Sequence, residues 1–95
     1  MPGYERAELT AELKVVPSSE ADKPPREQIE AAMSVAADSG LAHEAGPEVT
    51  ALSGGRAEVL EAVTKVTEAA LDAGAHAVEV RVEAEGEAGR FRGDG

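Results

Sequence analysis

From Ala7 to Val16 apolar and polar residues alternate. Leu9, Ala11, Leu13 and Val15 fall on one side and Glu8, Thr10, Glu12 and Lys14 on the other, the period of a half-buried strand. Pro17 ends it. The polar run Ser18 to Lys23 reads as a loop, and Pro24 and Pro25 suit the first turn of a helix, where their missing N–H groups would be unpaired in any case. Ile29, Ala32, Met33 and Ala36 then recur at three and four residues, and Gly40 supplies the left-handed residue that closes a helix. The next stretch, "GLAHEAGPEVTALSGG", predicts a hairpin of strands Leu41 to Ala45 and Glu48 to Ser53, with Gly46 and Pro47 in the turn because proline cannot donate to a ladder. Ser53, Gly54 and Gly55 lead into a second helix from about Arg56 to Ala73, striped by Val59, Val63, Val66 and Ala70 and stopped by Gly74. In the last strand Val78, Val80, Val82 and Ala84 alternate with Glu79, Arg81, Glu83 and Glu85.

The order β-α-β-β-α-β is that of an α+β, ferredoxin-like sandwich. Right-handed crossovers place its four antiparallel strands in the order 4-1-3-2, with both helices on one face. The other face stays open. It is expected to carry Glu8, Thr10, Glu12 and Lys14 from the first strand, Thr50 and Leu52 from the third, and Glu79, Arg81 and Glu83 from the fourth. Glu12 and Thr50 would then be neighbours. Residues 1–6 read as an N-terminal extension, 7–85 as the domain, and 86–95 as a disordered tail too rich in glycine and charge to pack.

Composition adds a constraint on stability. The chain has 95 residues, and its only aromatics are Tyr4 and Phe91 near the ends, so valine, leucine and alanine must fill the core. Small side chains bury less area each, which leaves a monomer marginal and favours an oligomer. Nineteen acidic residues against nine basic give a formal charge of −10, which repels nucleic acid and anionic membranes and suits a cationic ligand. The acids equally solvate the surface, and the scarcity of lysine (Lys14, Lys23 and Lys65) also fits adaptation to high salt. No apolar run nears a membrane span of about 18 residues, and the start lacks a basic-then-apolar pattern, so a cytoplasmic protein is expected.

Several chemistries of this fold lack their residues. The chain has no cysteine for a metal-carrying Cys-x-x-Cys loop, no aromatics on the central strands to stack bases, and no asparagine for an acylphosphatase-like site. Ser18 and Ser19 have no base within sequence reach, and Gly54 and Gly55 are followed by no phosphate-loop lysine. "HEAGP" at His43 lacks a second histidine for zinc, His76 heads a strand, and "RGD" at Arg92 to Asp94 is too short to be specific. An enzyme is not expected. Glu12 and Thr50 on the open face, with His43 and Glu48 from the hairpin, are the candidate ligand-binding residues.

"AELKVVPSS", "GLAHEAGPEVTALSGG" and "VTKVTEAALDAGAHAVEVRVEAE", in this order and spacing, together resemble the small thiamine-binding, YkoF-type proteins, long carried as a domain of unknown function. The resemblance spans about Ala7 to Glu85. It implies a ferredoxin-like subunit, assembled into dimers or tetramers, that binds thiamine or a pyrimidine such as hydroxymethylpyrimidine, with no cofactor and no established reaction. It also aligns Glu12 with a polar or acidic strand residue and Thr50 with the hairpin threonine, while Glu48 and Val49 replace the family's Met-Gly. A homotetramer built from dimers is therefore expected, and a non-catalytic binding protein. A structural or regulatory module that meets only other protein chains is the competing expectation.

Overall fold

A computed structural model describes residues 8–46 and 49–84 of the chain. The extension 1–6, the tail 86–95 and the hairpin residues Pro47 and Glu48 lie outside the described residues. Strand β1 (Leu9–Val16) is followed by helix α1 (Pro25–Asp38), β2 (Ala42–Ala45), β3 (Val49–Gly54), α2 (Arg56–Asp72) and β4 (Ala77–Ala84). The strands form one antiparallel sheet in the order β2-β3-β1-β4, the expected order read from the other edge. Both helices pack on the face that presents Ala11, Leu13 and Leu52, and Ala32, Ala36, Val59, Ala62, Val66 and Ala70 complete the core.

Local chemistry sets the helix ends. Neither helix has a side-chain cap at its own N-cap residue, Pro24 or Gly55. For α2 the cap comes from elsewhere: the Glu8 N–H donates to the Gly54 carbonyl at 2.9 Å, and the Glu8 carboxylate accepts the Arg56 N–H at 2.8 Å. An anion there also meets the positive end of the helix dipole. At the other ends Gly40 and Gly74 take φ values of 79° and 106°, left-handed conformations that a side chain disfavours.

The core departs from the sequence pattern in two places. On α1 the fully buried positions are Gln28, Ala32 and Ala36, while Ile29 and Met33 are only half-buried. Gln28 is 0% exposed and wholly hydrogen-bonded within the β1–α1 loop. Its Oε1 accepts the Ser18 N–H at 2.8 Å, and its Nε2 donates to the carbonyls of Ser18 and Lys23, each at 2.8 Å. The same loop lays Ala21 against Gly74, where an added Cβ would come within 2.5 Å of the Ala21 methyl. The second departure is on β4. Val78 packs on the core, but Val80 and Val82 stay 41% and 40% exposed, because β4 is the edge strand and the helix layer does not cover them.

Gln28→Leu keeps the bulk and strands one amide and two carbonyls, so urea unfolding should show a loss of about 2 to 3 kcal/mol. Glu68→Gln, on the exposed side of α2, should change stability by less than about 0.5 kcal/mol. Gly40→Ala, with nothing within 4 Å of the new Cβ, should cost about 1 kcal/mol of backbone strain alone. Gly74→Ala should cost more, and Ala21→Gly in the same chain should recover part of the difference.

Candidate functional site

In an antiparallel pair, residues directly opposite one another point to the same side of the sheet. The buried residues of β1 therefore fix the faces. Ala11 opposes Leu52 and Val82, and Leu13 opposes Thr50 and Val80, so these rows face the helices. Glu12 opposes Ala51 and Arg81, Lys14 opposes Val49 and Glu79, and Thr10 opposes Ser53 and Glu83. These rows make the open face. Through Ala51 the edge strand β2 adds Glu44 to the Glu12 row.

The expectation that Glu12 and Thr50 share the open face is thus corrected. Thr50 is 8% exposed and Leu52 0%, and both point to the core side. The period of β3 is opposite to the one read from the sequence, because "VTALSG" carries apolar residues on both sides and only its pairing with β1 decides between them. His43 opposes Leu52 and so belongs to the helix side as well. It is exposed on the edge strand, with Nδ1 3.4 Å from the Leu41 carbonyl oxygen. Glu48 lies outside the described residues. Of the four candidates, Glu12 is the one that the structure places on the open face among the described residues.

Glu12 does not stand alone there. A cavity of about 230 Å³ is lined by Glu12, Lys14, Val49, Glu79, Val80 and Arg81. A second, of about 440 Å³, shares Lys14 and Glu79 with it and continues along Val15, Val16, Pro17 and Ile29. The first is a trough on the open face, whereas the second runs round the end of the sheet to Val15 and to Ile29 of α1 on the helix side. The Arg81 guanidinium turns along its own strand, donating from Nη2 to Glu83 Oε2 at 2.7 Å. Thr10 Oγ1 and Ser53 Oγ share a hydrogen bond at 3.3 Å. Glu12, Glu44, Glu79 and Glu83 outnumber Lys14 and Arg81 on this face, so its field favours cations. Of the residues that line this cavity, Lys14, Val49, Glu79, Val80 and Arg81 are not among the candidates that the sequence offers. The signal for Glu79 was present in the alternation of the last strand, whereas Val49 needed the register.

A family model described as thiamine-binding protein matches residues 11–90. Among solved structures, a protein of domain of unknown function DUF77 from Bacillus cereus is 27% identical with a TM-score of 0.68, over 85% of this chain and 77% of that one. A Thermotoga maritima protein, described as a proposed thiamine biosynthesis/salvage protein, is 26% identical with a TM-score of 0.65, over 86% of each chain. A Streptococcus pneumoniae protein, 18% identical over 83% of this chain and 86% of that one, shares the fold with a TM-score of 0.67. None of the curated proteins matches this chain.

The face assignment can be checked by stability. Thr50→Val replaces a hydroxyl on the core side with a methyl of similar shape, and the urea midpoint should stay or rise, by up to about 1 kcal/mol. Glu12→Gln on the open face should leave it within about 0.5 kcal/mol.

Proposed function

The chain belongs to the thiamine-binding protein family, and from that premise we propose that the trough on its open sheet face binds thiamine, or a pyrimidine precursor of it, without converting it. The observation that carries this reading is the position of Glu12. It stands on the central strand, lines the cavity, and has Glu79 on the same wall. A carboxylate attracts the thiazolium cation and accepts hydrogen bonds from an aminopyrimidine. Val49, which lines the same cavity, offers an apolar surface for the flat rings. The Thermotoga maritima relative, with its proposed place in thiamine biosynthesis or salvage, supports a ligand of this class.

Binding without reaction fits the hydroxyls of this face. Thr10 and Ser53 hydrogen-bond each other rather than a general base, and an unactivated hydroxyl is a poor nucleophile. The excess of carboxylates on the open face also ranks the ligands. Unphosphorylated thiamine gains from the field, whereas each phosphate added to it is repelled.

Calorimetric titration tests the reading. Thiamine should bind the parent chain, and its mono- and diphosphate should bind progressively more weakly. Glu12→Gln should weaken thiamine three- to tenfold, on the order of 1 kcal/mol for an exposed charge pair. Thr50→Val, on the other face, should leave the affinity unchanged. No heat with either thiamine or hydroxymethylpyrimidine would remove the proposal.

A further inference from the structure

We propose that Glu83 is a positioning residue: it holds the Arg81 guanidinium along β4, off Glu12, and so keeps the carboxylate of the cavity open to a cationic ligand. Three carboxylates neighbour Arg81 on the open face. Glu12 lies directly opposite it on β1, while Glu79 and Glu83 lie two residues away on either side along β4. Directly opposed residues of an antiparallel pair are about 5 Å apart, and residues i and i+2 of one strand about 6.7 Å apart, so by backbone position Glu12 is the nearest of the three.

The nearest is passed over. Arg81 Nη2 donates to Glu83 Oε2 at 2.7 Å, and among the described residues the Glu12 carboxylate has no ion-pair partner. The rows give a physical basis for this choice. Glu79 has Lys14 opposite it as a second cation, whereas the row of Glu83 holds no cation: Thr10 opposes it, and Thr10 shares a hydrogen bond with Ser53 at 3.3 Å. Arg81 is thus the cation nearest to Glu83. The pair is exposed, 72% and 50% by side chain, and contributes little to stability. Its effect lies in where the guanidinium is placed. Glu12 and Glu79 line the cavity and Glu83 does not. Pairing with Glu83 directs the positive charge away from the cavity, whereas pairing with Glu12 would cancel the carboxylate on its central strand.

The consequence for ligands rests on the thiamine reading above. Arg81 is an internal cation that competes with a thiazolium for Glu12, and Glu83 removes it from the competition. Without Glu83, the guanidinium turns to Glu12 in a direct cross-strand pair of opposite charges. It then occupies the carboxylate that the cation needs and presents its remaining N–H groups to a ligand phosphate. From outside the cavity, Glu83 thereby sets the preference for the unphosphorylated form.

The position of Arg81 can be read without any ligand. In nuclear Overhauser spectra of the free chain, the Arg81 side chain should contact that of Glu83, and in Glu83→Gln it should contact that of Glu12 instead. By calorimetry, Glu83→Gln should weaken thiamine about two- to fivefold and narrow its advantage over thiamine diphosphate by more than that. A general loss of structure would weaken both ligands alike. Loss of one negative charge would act equally with or without the arginine, so the same substitution is also made in Arg81→Gln, where it should change thiamine affinity by less than about twofold. Arg81→Gln by itself should bind thiamine at least as tightly as the parent chain. Spectra in which Arg81 stays away from Glu12 in Glu83→Gln overturn the proposal, and so does an equal effect of Glu83→Gln in both backgrounds. A parent chain that takes up no thiamine overturns the earlier reading alone, since the spectra of the free chain still decide which carboxylate holds Arg81.

Discussion

Almost everything about this molecule follows from the alternation of one strand. β1 is bonded along both edges, to β3 and to β4, and its Ala11 and Leu13 are sealed under the helices. Because a strand's side chains alternate with a period of two, burying those two residues dictates the side taken by every partner in the sheet. A slip of one residue on either side would send Leu52 into solvent or Glu79 into the core. The helices, in turn, have no other apolar surface of comparable extent to settle on. The face with the trough is therefore a by-product of how the core is made, and Glu12 is exposed because its two neighbours are not.

The sequence makes the elements legible because two kinds of signal agree. Apolar spacing gives the strands and helices, and prolines and glycines mark their ends, so that Pro25, Gly40 and Gly74 all stand where the chain changes direction. What escapes is decided by contact between segments distant in the chain. The side taken by Thr50 is not legible in the third strand, which has Val49 and Ala51 on one side and Leu52 on the other, and its pairing with β1 settles the matter. Gln28 looks like a surface residue in a list of hydropathies. Its partners are backbone groups of its own preceding loop, which leave no trace in composition. The candidate site was half visible for the same reason. Glu12 could be assigned to an open face from a single strand, but the wall formed by Val49, Glu79 and Arg81 exists only through register.

A small aliphatic core has a further effect on the sheet. With alanine at Ala32, Ala36, Ala62 and Ala70, the helices offer little bulk and can cover only part of a four-stranded sheet. The cover is tight over Ala11 and Leu13 of β1 and fails at Val80 and Val82 of β4. One strand thereby carries two unfinished surfaces, a charged wall on its open side and uncovered valines on the other.

The Gln28 clasp has a bearing on time as well as on stability. The loop it holds follows the first strand directly, yet the loop's Ala21 rests on Gly74, just past the end of α2. The clasp itself is local, joining residues five to ten apart in the chain, while the Ala21 contact ties the same loop to the far end of α2. The Ser18 amide, bonded to a side chain with no exposure to water, is in effect a clock on the clasp. Its proton is released to solvent only when the loop lets go of α1, and the rate of that release reports how often this local clasp opens.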